Sequence, residues 1–144
     1  MQKETDMNGK KMNMKVSFVV AVYNVGEYVE ECVRSLCEQT LEEIEIVIVD
    51  DGSTDGSMEK AERVLGLFAE RKERAKMVRH EENKGLPQTR WDGIKASSGE
   101  YIIVVDGDDY VDRGWQRSCM RRPQRRVPTW WCATIGYIRP RAAE

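Results

Sequence analysis

Three carboxylates fall within four residues at Asp106-Gly107-Asp108-Asp109, directly after the apolar run Tyr101–Val105. Like charges crowded onto one turn need a cation between them. Two or three hard oxygen donors on a turn suit Mg²⁺ or Mn²⁺, which bind through one or two carboxylates plus the oxygens of a phosphate-bearing ligand. Gly107 would let the backbone turn tightly beside that ligand. The plainer alternative is an acidic turn that caps a sheet, since Asp and Gly are ordinary turn formers. A second acidic cluster, Asp50-Asp51-Gly52-Ser53, closes the apolar run Ile44–Val49. It reads first as a strand-to-helix turn, with Asp55 or Ser57 capping the helix that follows. A further carboxylate converging on the same crevice, however, must face a cation or ligand donors, such as those of a base or ribose. Lys84 and Arg90 flank the turn Gly85-Leu86-Pro87 and could offset a diphosphate, although solvated surface charge is the commoner fate of such residues.

Absences narrow the chemistry. No G-x-G-x-x-G follows a strand and no G-x-x-x-x-G-K-[S/T] occurs, which removes dinucleotide oxidoreductases and P-loop hydrolases and leaves phosphate to be held by metal. His80 is the only histidine, so neither a cage of several imidazoles nor a Ser-His-Asp triad is expected. Cys32, Cys37, Cys119 and Cys132 lack C-x-x-C spacing and read as reduced thiols that fill space in a cytosolic protein. The chain has 144 residues, 40% hydrophobic and 33% charged, with a net charge of −2. That is one ordinary globular domain with no charge excess to select nucleic acid. Its apolar runs fall far short of the roughly 20 residues that span a bilayer. Met1–Lys15 is polar, Met-rich and without an apolar segment, which reads as a leader and not as a secretory signal.

The acidic clusters must be positioned by the elements before them. Val16–Tyr23 and Ile44–Val49 are β-branched and apolar throughout, the pattern of strands buried on both faces. Between them Asn24 is a candidate cap, Glu27, Glu30 and Glu31 sit where a helix dipole favours acids, and Val29, Val33 and Leu36 recur at helical spacing. A second helix places Met58, Ala61, Val64, Leu65 and Phe68 on one side. Lys76–Arg79 reads as a third strand, Pro87–Ala96 as a short helix with Pro in its first turn, and Tyr101–Val105 as a fourth strand. The order β-α-β-α-β-α-β implies right-handed crossovers and a Rossmann-like, mainly parallel sheet with helices on both faces. Ligands of such sheets gather at the carboxyl ends of the strands, so Tyr23-Asn24, Asp50-Asp51 and Asp106–Asp109 should converge.

Five segments in order, Val16–Asn24 (VSFVVAVYN), Glu38-Gln39-Thr40, Ile44–Ser57 (IEIVIVDDGSTDGS), Glu82–Ile94 (ENKGLPQTRWDGI) and Gly99–Val111 (GEYIIVVDGDDYV), resemble the inverting, family-two nucleotide-sugar glycosyltransferases of the A-type fold. The resemblance covers roughly residues 15–115. It implies a metal-dependent transfer of sugar from a nucleoside diphosphate, most often UDP, to an acceptor hydroxyl. It further implies that Ala21, Val22, Tyr23 and Asn24 lie against the nucleobase and that Asp51 accepts from a base ring nitrogen. Lys84 or Arg90 would sit near the base or diphosphate. Asp106-Gly107-Asp108 would be the family's aspartate-x-aspartate (DXD) motif, with one carboxylate toward the ribose and Asp108 or its neighbour Asp109 on Mg²⁺ or Mn²⁺. Partners implied are a nucleotide-sugar donor and a saccharide or lipid-linked acceptor, as in cell-envelope polysaccharide synthesis. The expected location is the cytoplasm, with peripheral association at the inner face of the membrane. The family usually has Pro where Ala21 stands, and small residues where Leu86-Pro87-Gln88 stands; neither departure removes a charge.

A larger departure follows Trp115, where the family continues into an acceptor-binding half that carries the catalytic base, an Asp or Glu. Residues 1–112 hold 15 Lys and Arg against 24 Asp and Glu, whereas 113–144 hold eight Arg and a single Glu. The expected division is therefore a leader at 1–14, a nucleotide-sugar-binding domain at 15–115 and an atypical basic tail at 116–144. One reading of the tail is a basic aromatic arm for an anionic surface. Another is a frameshift near Asp112–Gln116. The codons of Trp130-Trp131-Cys132 must read Val-Val one frame over, and their neighbours allow Asp-Met-Val-Val-Cys-Asp-Tyr-Arg, a sequence like the family's next buried strand. Two other functional classes stand beside the transferase: a non-catalytic nucleotide- or protein-binding module, and a phosphoacceptor receiver domain. The receiver needs a solitary Asp on a later strand, where this chain has a cluster.

Overall fold

The structure, a computed structural model, describes residues 16–113. The expected leader and tail, the frameshift with them, lie outside the described residues, as do Cys119 and Cys132. Eight elements follow one another: β1 (Val16–Val22), α1 (Val29–Cys37), β2 (Ile44–Asp50), α2 (Ser57–Gly66), α3 (Ala69–Glu73), β3 (Ala75–Arg79), α4 (Leu86–Ala96) and β4 (Tyr101–Asp106). The four strands form one parallel sheet in the order β3-β2-β1-β4, flanked by helices as the alternating pattern requires. The expected α/β fold class is therefore the one observed.

Alternate strand residues serve two cores. Phe18, Val20, Ile46, Ile48, Ile103 and Val105 face α1 and α2, whose Val33, Leu36, Met58, Ala61 and Leu65 complete the larger cluster. Val19, Val47, Val49, Ile102 and Val104 face the other way, against Ile94 and Ala96 of α4. Both faces are thus covered, which is why β1 and β2 are apolar at nearly every position instead of alternating. Gly93 lets α4 approach closely, because a Cβ there would lie 2.2 Å from Val19 Cγ1.

Helix starts differ in detail from the sequence reading. α1 begins at Val29 after a turn in which the N–H groups of Tyr28 and Val29 both donate to Val25 O at 2.9 Å; Tyr28, not Asn24, occupies the cap position. Glu27 lies outside the helix, while Glu30 and Glu31 do fill its first turn. The short helix α3 carries only five residues and has no apolar stripe, so no periodicity announced it. Its work is done by Arg71, whose guanidinium donates to the carbonyls of Cys37, Gln39, Leu41 and Glu42 and so holds the α1–β2 loop. Cys32 and Cys37 are buried thiols, as expected.

At the amino end of the sheet, Glu45 is fully buried within β2. Its carboxylate accepts from Ser17 Oγ at 2.5 Å, Ser98 N at 2.9 Å and Ser98 Oγ at 2.8 Å, and pairs with Lys76 Nζ at 2.8 Å. The opposite, carboxyl end is set by register. Val22 stands opposite Asp50 and Ala21 opposite Asp106, so the acidic ends of β2 and β4 arrive on either side of β1.

Candidate functional site

A cleft of about 390 Å³ opens where those strands end. Ala21, Val22 and Tyr23 line it from the end of β1 and the residue after it, Asp51 from just past β2, and Asp106, Gly107 and Asp108 from the end of β4 and the turn after it. Seven of the residues singled out in the sequence therefore meet in one place, as strand order alone required. Asn83, Gly85, Leu86 and Thr89 close the side nearest α4 and were not singled out individually. Tyr23 and Leu86, 49% and 45% exposed, offer apolar surface at the cleft.

Asp51 is 2% exposed. Its Oδ1 accepts from Lys84 N at 2.7 Å and lies 2.8 Å from His80 Nδ1, while Oδ2 accepts from Gly85 N at 3.0 Å. Burial pushes this carboxyl up, but the bonds from His80, the two backbone amides and the Thr89 side chain outweigh it and hold Asp51 below the usual carboxylate range. Asp51 is an ionised acceptor fixed in place. Gly52 turns at φ 79 directly after it, where a Cβ would meet the backbone of Glu82 and Asn83 at 3.1 Å. The β2–α2 loop and the β3–α4 loop therefore pack backbone to backbone behind Asp51.

Asn24 adopts a left-handed φ of 48, which Asn tolerates. Its N–H donates to Ser53 Oγ at 3.1 Å and its Oδ1 accepts from Thr54 N at 2.9 Å. It braces the β1–α1 loop against the β2–α2 loop and does not line the cleft. Asp55 does the second half of that work, accepting from Gly26 N at 2.9 Å and from Ser57 N at 3.0 Å, with a further short bond from Ser57 Oγ. The cap position of α2 is Gly56 and not Asp55 or Ser57 as expected; Asp55 stands one residue before it and receives the N–H of Ser57, the first helical residue.

Asp106, Asp108 and Asp109 each bring a carboxylate oxygen within 4.8 Å of the others. Arg90 Nη2 reaches both oxygens of Asp106, at 2.8 and 2.9 Å. Among the described residues, neither Asp108 nor Asp109 has an ion-pair partner. Asp109 is pushed above its ordinary range by burial first and then by Asp108 and Asp106. The same field reaches Cys32, whose thiol is raised to about 12 by burial and then by Asp109, Asp108 and Asp106. Unrelieved like charge on hard, exposed oxygens fits a small divalent cation, since such an ion supplies what the protein does not. Gly107 has a role other than the turn flexibility expected of it. Its φ is not left-handed; its N–H donates to Ala21 O at 2.9 Å, and a Cβ there would meet Ala21 O at 3.0 Å and Val25 Cγ2 at 2.9 Å. The residue is small so that the acidic turn can lie against β1.

The two basic residues part ways. Arg90 joins the acidic cluster through Asp106, whereas Lys84 contributes its backbone amide to Asp51, and neither lines the cleft. The residue that sequence reasoning passed over is His80, which touches Asp51 from below. Its position one residue past β3, in the same end-of-strand layer as Asp51, was the available signal.

Comparison with known proteins places these features in a family. The family model for glycosyl transferase family 2 matches residues 17–135, beyond the end near 115 at which the resembling segments stop. The uncharacterized glycosyltransferase EpsJ of Bacillus subtilis (strain 168) is 49% identical over 96 residues, which is 67% of this chain and 26% of that protein. The poly(ribitol-phosphate) beta-glucosyltransferase of Bacillus spizizenii is 41% identical over 101 residues, 68% of this chain and 15% of that protein. Among solved structures, S. aureus TarS 1-349 in complex with UDP superposes with a TM-score of 0.67 at 32% identity, covering 75% of this chain and 31% of that chain. This chain spans less than a third of the length of each of these proteins.

Proposed function

This chain belongs to glycosyl transferase family 2, and on that premise we propose that its cleft binds the nucleoside diphosphate of a UDP-sugar donor for transfer to a saccharide or lipid-linked acceptor. The observation that carries the reading is one cleft bordered at one end by a buried, ionised, rigidly held acceptor and at the other by a carboxylate trio of which Arg90 pairs with Asp106 alone. Recognition of a base needs the first, and a diphosphate with its metal needs the second. The likeness to a structure solved with UDP supports the donor class.

In this reading the uracil lies against Tyr23 and the adjoining backbone of Ala21 and Val22, and its ring N–H donates to Asp51. Because the amides of Lys84 and Gly85 already fix that carboxylate, little reorganisation is needed on binding. Asp106, oriented by Arg90, faces the ribose hydroxyls. Mg²⁺ or Mn²⁺ held by Asp108 and Asp109 would supply positive charge against the diphosphate leaving group. Transfer would be a single displacement: the acceptor oxygen bonds to the anomeric carbon as the bond to diphosphate breaks, with inversion at that carbon. The base that takes the acceptor proton is not assigned to any described residue.

Calorimetric titration of UDP into the full chain, with Mg²⁺ or Mn²⁺ and then with a chelator, tests this. Asp108→Ala should remove the metal-dependent part of the affinity, about tenfold or more. Asp51→Ala should weaken uridine diphosphate more than adenosine diphosphate by a similar factor, since only the first offers a matching ring N–H. Unchanged metal dependence in Asp108→Ala overturns the metal assignment. Equal losses for the two nucleotides in Asp51→Ala overturn base reading.

A further inference from the structure

Asp51 is held partly by a side chain that the cleft does not include. His80 follows β3 directly, is 8% exposed, and is anchored by its own N–H, which donates to Asp50 O at 2.8 Å. Its ring stands between two acids. Nδ1 is 2.8 Å from Asp51 Oδ1, and Nε2 is 3.0 Å from Asp92 Oδ2 on α4. The other charged groups nearby are Asp50 at the end of β2, Lys95, which pairs with Asp92 Oδ1 at 2.9 Å, and Arg79, Glu81, Glu82 and Lys84 along its own segment. Among the described residues, only Asp51 and Asp92 hydrogen-bond the ring.

Ionised carboxylates only accept, so both contacts are satisfied together only when both ring nitrogens carry hydrogen. Both acids are held low: Asp51 as described, and Asp92 by Lys95 first, with Gln88 and His80 adding to it against a desolvation that opposes. A neutral imidazole would have to set a nitrogen lone pair against one carboxylate or the other. On the Asp51 side, Oδ1 already accepts from His80 and from Lys84 N, whereas Oδ2 accepts one backbone bond. Oδ2 is thus the less occupied of the two oxygens, while the His80 bridge and the Lys84 amide occupy Oδ1.

We infer that His80 is a positioning residue for base recognition: its ring, bridging Asp51 and Asp92, fixes the Asp51 carboxylate that receives the donor's base. The inference rests on the reading of the cleft as a nucleoside diphosphate site. Asp92 is its distal half, an acid on α4 outside the cleft that holds the far side of the ring.

The probes are UDP-N-acetylglucosamine and ADP-glucose, each titrated with Mg²⁺ into the full chain. His80→Ala removes the contact with Asp51 Oδ1 and should weaken UDP-N-acetylglucosamine by about tenfold, the scale of one charged hydrogen bond, with little change for ADP-glucose. His80→Gln can still donate to Asp51 and should recover part of that loss. Asp92→Ala removes the distal contact and should cause a smaller loss of the same kind. Circular dichroism melts establish that each variant is folded, and Asp92→Ala alone decides the matter should neither His80 variant fold. Unchanged affinity in the folded variants, or equal losses for the two nucleotide sugars, overturns the inference and leaves the donor site standing. Absence of donor binding in every protein overturns the donor site and this inference with it.

Discussion

The two ends of the sheet both carry acids, and they treat them in opposite ways. At the amino end, Glu45 is fully buried and its two oxygens meet Ser17, Ser98 and Lys76. At the carboxyl end, Asp108 and Asp109 are exposed and have no cation among the described residues. Asp51 lies between these cases, buried and donated to, yet bordering the cleft. An acid whose donors all come from the chain fastens the fold; an exposed acid left without them is open to solvent and to a ligand. The degree to which the chain itself satisfies each carboxylate separates structure from function more sharply than its place in the sequence does.

Breaking the amino end should have the largest effect. Glu45→Ala leaves two serine donors and the Lys76 charge facing a cavity, and should cost about 3–5 kcal/mol in urea denaturation, as loss of one partner of a buried pair does. The folded fraction should keep its UDP affinity. A loss below about 1 kcal/mol would place the anchor elsewhere.

Acid sharpens the contrast, since the two ends respond with opposite sign. Burial pushes Glu45 up, but Lys76, Ser17 and Ser98 outweigh it and hold its folded pKa below the ordinary value. Its contribution is therefore present above the unfolded carboxyl pKa and is lost as pH falls through the lowered folded value. Asp109 is raised, so its repulsion costs stability at neutral pH and is relieved as pH falls through the raised value. Melting of metal-free protein should thus rise slightly on mild acidification and then drop steeply as Glu45, Asp51 and Asp55 protonate. Mg²⁺ should abolish the initial rise. The smallest effect belongs to Asp109→Asn, which should raise metal-free stability by under about 0.5 kcal/mol, as fits an exposed charge, and reduce the stabilisation that Mg²⁺ provides.

Strands were legible because burial on both faces leaves nearly unbroken apolar runs, and their ends located the cleft without any knowledge of contacts. What escaped was set by partners distant in sequence. Nothing near Glu45 shows that Ser98, 53 residues on, will satisfy it, and the lone His80 looks inert until the sheet brings it to Asp51, 29 residues earlier. Asn24 has the composition of a helix cap and serves as a brace between loops, because its left-handed backbone aims it at Ser53 and Thr54. Arg90 was legible as a cation of the site, but its partnership with Asp106 required the fold.

Strand order also sets a timetable for synthesis. β1 occupies the interior of the sheet, yet its neighbour on one side, β4, is the last strand made among the described residues, with Ser17 pairing opposite Ile102. Once β3 has emerged from the ribosome at Arg79, another 27 residues must follow before Asp106 completes β4, roughly one to five seconds at ordinary elongation rates. Through that interval one edge of an almost wholly apolar strand stands open to pairing with other nascent chains. The acids that border the cleft arrive with the strand that covers this edge of β1, so the same event pairs β1 and completes the cleft.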